Sequence, residues 1–227
     1  MANLKKKILG SVSGALGDIV FRDRNGVNII AARPSSFNTP VDPASVARRS
    51  KFTMAAKLAA AISSNSSLKS VWSPIKPDGL SVQNYLLKIN YKSVSPSEIL
   101  DTVKLVPDGG FGISAASVDK TAEHLRVDIE TIGTNNDINT LVEVKVQLLS
   151  VLFLSDPLSE DAAAYSIIVL SSPLVNISLN SNIPFDITLM SNQSILFNQY
   201  NNKKAFFALV TLDNGNHIIH HSITLNG

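Results

Sequence analysis

Short β-rich runs separated by turn residues fill the second half of the chain and restrict the folds open to it. The seven runs are Thr102–Val106, Leu125–Ile132, Val142–Leu154, Tyr165–Leu170, Ile183–Met190, Ala205–Leu212 and His217–Leu225. Turn sequences lie between them, such as Pro107-Asp108-Gly109-Gly110 and Asp213-Asn214-Gly215-Asn216. Strands at this spacing are typical of antiparallel sandwiches. We therefore predict an immunoglobulin-like β-sandwich domain over residues 101–227, although the chain has no cysteine to form the disulfide of antibody domains.

Residues 42–100 have a helical character instead. Asp42 is a good N-cap, and Pro43 suits the first helical position because the missing N–H has no partner there. This helix is predicted to run to about Ser63, and its expected buried side consists of Phe52, Ala55, Ala59 and Ile62. Shorter helices are predicted at Leu68–Trp72 and Ser81–Tyr91, and a last helical turn after the capping-box pattern of Ser95 and Glu98.

Residues 1–41 are predicted to be an N-terminal arm that carries a β-hairpin. Two β-rich runs, residues 19–24 and 27–32, flank Asn25 and Gly26. Asn-Gly is a strong hairpin signal because both central residues of a type I′ turn need a positive φ. The complete prediction is thus an α+β chain with an arm at 1–41, a helical region at 42–100 and a sandwich at 101–227.

The charges of the chain are divided unevenly along its length. Residues 1–92 contain 14 Lys or Arg and four Asp or Glu, which gives +10. Residues 93–227 contain six Lys or Arg and 14 Asp or Glu, which gives −8. Such asymmetry bears on partners more than on fold. The basic half could face nucleic acid, an acidic protein surface or the acidic half of another copy.

The arm and the first helix supply a candidate docking surface for an acidic partner. Its residues are Phe21, Arg22, Arg24, Arg33, Arg48, Arg49 and Lys51. Strand alternation puts Arg22 and Arg24 on one face of the hairpin and Phe21 on the other. The alternative is an ordinary solvated face. Nucleic acid is the less favoured partner because proteins that bind it usually place aromatic residues among the basic ones, and aromatic residues are sparse here.

We predict no catalytic residue, no metal site and no cofactor. The glycines at 10, 14 and 17 precede the first strand, so they do not form a dinucleotide fingerprint. Three histidines, His217, His220 and His221, share the last predicted strand, and edge positions explain them better than metal binding does. The acidic group of Asp156, Glu160 and Asp161 matches no calcium loop. An enzyme is therefore not expected.

The sequence also predicts the compartment of synthesis. No run of 18 apolar residues is present, so no membrane span is expected. Lys5, Lys6 and Lys7 could begin a signal peptide, but the segment after them is too rich in glycine. We expect cytoplasmic synthesis without export.

Three segments resemble a family of Bacteroidota proteins that is known only as a domain of unknown function. They are GSVSGALGDIVF at Gly10–Phe21, NGVNIIAARP at Asn25–Pro34 and DPASVARRSKF at Asp42–Phe52. The tryptophan usual on the first hairpin strand is absent, and the usual glutamine of the helix is not at its expected place. The family brings no known activity or cofactor. Its members also occur in phage-like contexts, which implies a structural component of a particle.

These observations lead to a hypothesis of a non-enzymatic structural or assembly protein. It would be a virion component of a bacteriophage, in the neck, tail or head, that forms a homo-oligomer or binds other subunits through its arm. One alternative is a nucleic-acid-associated protein that uses the basic half. Another is a surface- or carbohydrate-binding module in the sandwich, whose candidate aromatic platform is Tyr165, Phe185, Phe197 and Tyr200.

Overall fold

The structure is a computed structural model that describes residues 2–3, 13–24, 26–33, 35–36, 39–133 and 137–227, with the backbone alone at residues 2, 3 and 24. It contains α-helices and antiparallel β-sheets, so the predicted α+β class is confirmed. The chain divides into two compact units, Met1–Val46 and Ala47–Gly227. This division falls inside the first helix, a few residues beyond the predicted end of the arm.

The first unit is built on a four-stranded antiparallel sheet, called here the N-terminal sheet. Its strands are β1 (Ala2–Asn3), β2 (Gly14–Leu16), β3 (Ile19–Arg24) and β4 (Val27–Ala32), in the spatial order β1-β4-β3-β2. Strands β3 and β4 have the predicted bounds. Strands β1 and β2, which were not predicted, extend the hairpin on both sides.

The described residues form four α-helices, α1 (Pro43–Ser64), α2 (Ser66–Trp72), α3 (Val82–Asn90) and α4 (Ser191–Asn198), with a short 3-10 turn at Tyr91–Ser93. Side chains cap the first three as local sequence rules require. The N–H of Ser45 donates to the Asp42 carboxylate at 2.9 Å, and the N–H of Leu68 donates to Asn65 at 3.0 Å. No helix follows Ser95. The chain makes a turn there, closed by a bond from the Ser95 N–H to the Glu98 carbonyl.

The buried side of α1 differs from the prediction at one position. Ala55, Ala59 and Ile62 are fully buried, but Phe52 is 53% exposed. Met54 and Leu58 are buried in its place. At 3.6 residues per turn, they shift the centre of the apolar stripe away from Phe52, which is left at its margin.

The second unit contains two sheets. Their strands are β5 (Ala115–Lys120), β6 (His124–Ile129), β7 (Lys145–Pro157), β8 (Tyr165–Ser171), β9 (Val175–Asn176), β10 (Ile183–Thr188), β11 (Tyr200–Leu212), β12 (Ile218–His221) and β13 (Leu225–Asn226). The small sheet has the order β10-β6-β5. The large sheet has the order β12-β11-β7-β8, with β9 paired to β7 and β13 paired to β11. All pairings between these strands are antiparallel.

The predicted strand at Thr102–Val106 is absent because a side chain takes the place of a strand partner. The Asn90 amide donates to the Lys104 carbonyl at 3.0 Å and accepts from the Lys104 N–H at 2.8 Å. The Leu105 carbonyl accepts from the Trp72 indole N–H at 2.7 Å. These bonds satisfy the backbone of a buried loop, which would otherwise need a neighbouring strand.

Two hydrophobic clusters lie on opposite faces of the large sheet. One packs helices α1, α2 and α3 against residues such as Val151 and Ala208. The other packs the small sheet against residues such as Leu152 and Leu209. Because neighbouring residues of β7 and β11 point to opposite faces, both central strands are buried on both sides. The second unit is therefore layered as helices, large sheet and small sheet.

Candidate functional site: the N-terminal sheet

Tight turns shape the N-terminal sheet. Gly17 has φ +56° and Gly26 has φ +77°, which residues with a side chain rarely adopt. The N–H of Gly26 donates to the Asp23 carboxylate at 2.9 Å, and the N–H of Arg33 donates to the Asp18 carbonyl at 2.6 Å. The predicted turn residue Asn25 lies outside the described residues. The glycines thus allow the three strands β2, β3 and β4 to follow one another within a segment of about twenty residues.

One face of this sheet is apolar and open. Paired residues of neighbouring strands share a face, so the register groups Leu16 with Ile19 and Phe21 with Ile30. Leu16 is 72% exposed and Ile19 is 43% exposed. Phe21 and Ile30 are half-buried. This apolar group, Leu16, Ile19, Phe21 and Ile30, is called here the arm face.

The opposite face of the same sheet mixes apolar and basic residues. The register pairs Val20 with Ala31 and Arg22 with Ile29. Arg22 is exposed, while Val20 and Ile29 are half-buried. Arg24 pairs through its backbone with Val27, and its side chain lies outside the described part. Both faces of the sheet therefore carry apolar side chains.

The first unit has an apolar content of its own in the N-terminal sheet. A small sheet needs at least one covered apolar face to be stable in water. Both faces of the N-terminal sheet thus carry apolar side chains, as a buried sheet does. The arm face is nevertheless exposed to solvent.

The structure divides the predicted docking residues between the two units. Phe21, Arg22, Arg24 and Arg33 belong to the first unit, and Arg48, Arg49 and Lys51 belong to the second. Arg33, Arg48 and Arg49 are exposed. Lys51 has its ammonium group 5.0 Å from the centre of the Tyr91 ring, a cation–π contact within the second unit. Lys51 therefore contacts the 3-10 turn that follows α3.

Sequence reasoning did not single out Leu16, Ile29 or Ile30. Two signals could have indicated them. One is the turn signal of Gly17 and Asp18, which directly follows the segment Gly14-Ala15-Leu16. The other is the run Val27–Ala32, which is apolar at five of its six positions. An almost continuous apolar run predicts a strand that is covered on both faces.

The histidines are held by structural partners. In the described part of the chain, no three His, Cys, Asp or Glu side chains are grouped so that they could hold a metal ion. His217 pairs with Asp213 at 3.0 Å, and His220 pairs with Glu143 at 3.1 Å. His221 contacts the carbonyl of Ser222 at 3.1 Å.

Glu143 is a buried carboxylate at the start of the large sheet. Its side chain is 1% exposed and accepts hydrogen bonds from the Thr211 hydroxyl, the Asn139 N–H at 2.8 Å and His220 at 3.1 Å. Burial acts to raise the pKa of Glu143, but these hydrogen bonds outweigh it and hold the pKa below its ordinary value of 4.5. Because Thr211 donates directly to the carboxylate, the histidine does not stand between the two as it does in a nucleophilic triad. The cluster fastens the segment before β7 to β11 and β12.

The candidate aromatic platform is part of the protein core for three of its four residues. Phe185, Phe197 and Tyr200 are each at most 5% exposed and belong to the cluster between the two sheets. Tyr165 is half-buried, with the Lys57 ammonium 4.7 Å from its ring centre. These four rings therefore do not form a flat exposed surface for a sugar to stack on.

The second unit has several surface clefts. A cleft of about 510 Å³ is lined by Ser66, Ser67 and Ser70 of α2 and by His217 and Ile219 near β12. Another, of about 430 Å³, is lined by His220 and the backbone at Gly109 and Gly110. Within the part of the chain that the structure describes, no helix is both long and apolar enough to cross a membrane.

Comparisons with known proteins give no further identification. No family model matches the chain, no curated protein matches it, and no solved structure matches it.

Proposed function

We propose that this chain is a non-enzymatic assembly protein that docks onto neighbouring copies through its N-terminal sheet. The observation that carries the proposal is the arm face. Leu16 and Ile19 form a cross-strand pair and are 72% and 43% exposed. The sheet that bears them belongs to a separate compact unit. Exposed apolar groups of this kind mark interaction sites.

Burial of the arm face against a partner supplies a large part of the affinity. Covering a Leu or Ile side chain completely contributes about 1.5–3 kcal/mol. Leu16 and Ile19 begin at 72% and 43% exposure, so Leu16 has most of this contribution still to gain and Ile19 has somewhat less than half. Phe21 and Ile30 extend the apolar group along the two neighbouring strands.

The charge distribution favours a second copy as the partner. Residues 1–92 carry +10 and residues 93–227 carry −8. Opposite charges steer association and suppress wrong partners. A contact between the basic part of one copy and the acidic part of the next is heterologous, and such contacts close into rings or extend into filaments. Arg22 and Arg33 are exposed on the first unit and are available for this contact.

We also propose that the β-rich part is an immunoglobulin-like sandwich with an added helical layer. Its seven longer strands, β5, β6, β7, β8, β10, β11 and β12, can be compared with the strands of that fold. The order β5-β6-β10 corresponds to its A-B-E sheet, and β12-β11-β7 corresponds to its G-F-C sheet. A cluster shared by both sheets supports the same assignment. Such a domain would present the arm and contribute no chemistry of its own.

The setting that we propose is a bacteriophage particle, as a neck, tail or head accessory subunit. Support comes from the resemblance of Gly10–Phe21, Asn25–Pro34 and Asp42–Phe52 to a family that occurs in phage-like contexts. A protein that repeats in a particle needs surfaces that bind copies of itself, and the arm face is one such surface.

The test is the mass of the full-length protein in solution. Light scattering coupled to size exclusion is applied to the wild type and to the double variant Leu16→Lys/Ile19→Lys, which places two charges on the arm face. We expect the wild type to form an oligomer and the variant to have a clearly lower mass. The matched control is Leu141→Lys, because Leu141 is 91% exposed in the second unit. A wild type that is monomeric at every concentration, or a variant that assembles as the wild type does, would refute the proposal.

A nucleic acid remains the second candidate partner because of the +10 charge of residues 1–92. Its signature is an affinity that falls steeply with salt, since neutralised phosphates release counterions. Titration of a fluorescent duplex and a fluorescent single strand at two salt concentrations distinguishes it from docking onto protein. Binding that is independent of Leu16 and Ile19 but lost in Arg22→Ala/Arg33→Ala would favour this candidate.

A further inference from the structure

The outer edge of β8 is an unprotected strand edge. β8 (Tyr165–Ser171) is the last strand of the large sheet on its side. Its sequence, YSIIVLS, contains no charged residue and no proline. Among the described residues, no backbone hydrogen bond is made on the outer side of this strand. An edge of this kind is a template for another strand.

The other edge strands of the second unit are protected. β5 carries Asp119 and Lys120 and has an irregular register near Ala115. β10 carries Pro184 and Asp186. β12 has only four residues and pairs with a register shift. Charges, proline, bulges and short length are the devices by which proteins prevent edge pairing. β8 has none of them.

The register identifies which backbone groups of β8 are open. The Ser172 N–H donates to the Leu148 carbonyl at 2.8 Å, so the pairs Ser150–Leu170 and Leu152–Ile168 are hydrogen-bonded pairs of the β7–β8 ladder. The residues between them turn their N–H and C=O groups outward. These outward residues are Tyr165, Ile167, Val169 and Ser171.

We propose that β8 pairs with β8 of a second copy of this chain, antiparallel and about a two-fold axis at Ile168. This register is the one in which all seven residues of both strands overlap. It pairs Ile167 with Val169 of the other copy and Tyr165 with Ser171 of the other copy. Each such pair exchanges two bonds, so the interface contains about eight backbone hydrogen bonds. The contact is isologous, because the same patch is used twice.

The charges around β8 suit this occupant. Lys57 lies over the Tyr165 ring at 4.7 Å, and the uncharged Asn65 donates to the Ser171 hydroxyl at 2.7 Å. The antiparallel register places the Tyr165 end of one strand, where Lys57 lies, beside the Ser171 end of the other strand, where Asn65 lies. The two copies of Lys57 are then about 20 Å apart at the rise of an antiparallel strand. Beyond a screening length of about 8 Å, this repulsion is small.

Side chains of β8 also fit the pairing. Ile168 and Leu170 point into the core between the sheets, while Ile167 and Val169 pack against the helical layer. Pairing therefore continues both faces of the large sheet into the second copy, and the β-branched side chains of Ile167 and Val169 become cross-strand neighbours.

A cysteine test reads the register directly, because the chain has no cysteine of its own. In Ile168→Cys, the two new cysteines face each other as a non-hydrogen-bonded pair, about 4.5 Å apart between Cα atoms, within the range of a disulfide. In the control Ile167→Cys, the cysteines are diagonal neighbours about 7–8 Å apart, beyond that range. Both variants are made in the full-length chain and oxidised mildly. We expect a covalent dimer from Ile168→Cys and monomers from Ile167→Cys on a denaturing gel.

Val169→Pro tests the edge without the need for a cysteine. Its N–H points outward, so proline removes a bond to the second copy and none to β7. We expect a dimer at least about tenfold weaker, because two symmetry-related bonds are lost. Ser166→Lys is a second variant that tests the same edge by placing a charge on it. Ser166 is half-exposed and lies on the face opposite Val169, so this variant leaves the packing of Val169 intact.

The outcomes separate this interface from the arm. Cross-linking of Ile168→Cys that persists when Leu16→Lys/Ile19→Lys is added supports a β8 contact independent of the arm face. Equal cross-linking of both cysteine variants, or of neither, overturns the proposal. So does an unchanged mass in Val169→Pro and Ser166→Lys when circular dichroism shows both to be folded.

Discussion

Replacement of Glu143 tests whether the segment before β7 is fastened by one buried carboxylate. Its side chain is 1% exposed, and it accepts bonds from Thr211, Asn139 and His220. In Glu143→Ala these donors lose their acceptor. Thr211 is fully buried and keeps only a long contact, at 3.5 Å, to the His220 carbonyl, whereas the half-exposed His220 can bind water. A buried donor left without its acceptor costs about 1–3 kcal/mol. We therefore expect a loss of about 2 kcal/mol in the free energy of unfolding.

The same carboxylate predicts a dependence on pH. Its hydrogen bonds hold the pKa of Glu143 below 4.5 in the folded chain. A lowered pKa stabilises the folded state fully above the unfolded value, and this stabilisation is lost as pH falls through the folded pKa. Glu143→Gln keeps the shape but cannot titrate. The difference in unfolding free energy between the wild type and Glu143→Gln should therefore be largest at neutral pH and should narrow below pH 4.5.

Urea unfolding measures both effects, with the fluorescence of Trp72, the one tryptophan of the chain, as the signal. Trp72 is buried against the helical layer, so its emission follows the loss of the core of the second unit. A cost below about 1 kcal/mol for Glu143→Ala would mean that the cluster contributes no more than one ordinary hydrogen bond. A gap between the wild type and Glu143→Gln that stays constant below pH 4.5 would refute the lowered pKa.

Two further substitutions test the packing of the second unit. Gly110→Ala should destabilise the fold by several degrees in thermal melting, because a Cβ there would lie 2.3 Å from the Ser222 carbonyl oxygen, while Gly112→Ala, with no atom within 4 Å of its Cβ, should melt as the wild type does. Equal melting temperatures for the two variants would contradict this. Trp72→Phe should cost about 3 kcal/mol in urea unfolding followed by circular dichroism, because it opens space in the core and leaves the Leu105 carbonyl without its donor. A loss below about 1 kcal/mol would show that the loop rearranges to satisfy that carbonyl.

Local signals in the sequence were enough to predict elements whose cause is local. The N-cap at Asp42, the start of a helix near Ser81, and the hairpin strands β3 and β4 all depend on residues within a few positions of each other. The strand predicted at Thr102–Val106 failed because its backbone partners are side chains far along the chain, such as Thr224, which accepts from the Leu105 N–H at 3.0 Å. No periodicity carries that information.

Two missed elements have weak intrinsic signals. β5 reads AASVDK and is a strand because it pairs with β6 along nearly its whole length. α4 reads SNQSILFN, and its start is fixed by a bond from the Met190 N–H to the Gln193 side chain at 2.9 Å. Tertiary context decides both, as it often does where propensity is low.

The candidate site was predictable in part. Alternation alone placed Phe21 and Arg22 on opposite faces of a hairpin. The two added strands, and with them the exposure of Leu16, required the register of the whole sheet. The division of the basic residues between two units also could not be read from spacing, because Arg48 and Arg49 follow the arm after only a short connection.

The two proposed surfaces have different symmetries, and this difference predicts how the assembly responds when each is removed. In these proposals, the arm face makes a heterologous contact and β8 makes an isologous one. A chain with only β8 active stops at a dimer, and a chain with only the arm active forms a ring or an open string of single copies. With both active, dimers are joined into a larger object. We therefore expect Leu16→Lys/Ile19→Lys to leave dimers and Val169→Pro to leave arm-linked oligomers. The combination of all three substitutions should give monomers by light scattering. If the combined variant has the mass of either parent variant, the two surfaces are not independent, and one of the two proposed interfaces does not exist.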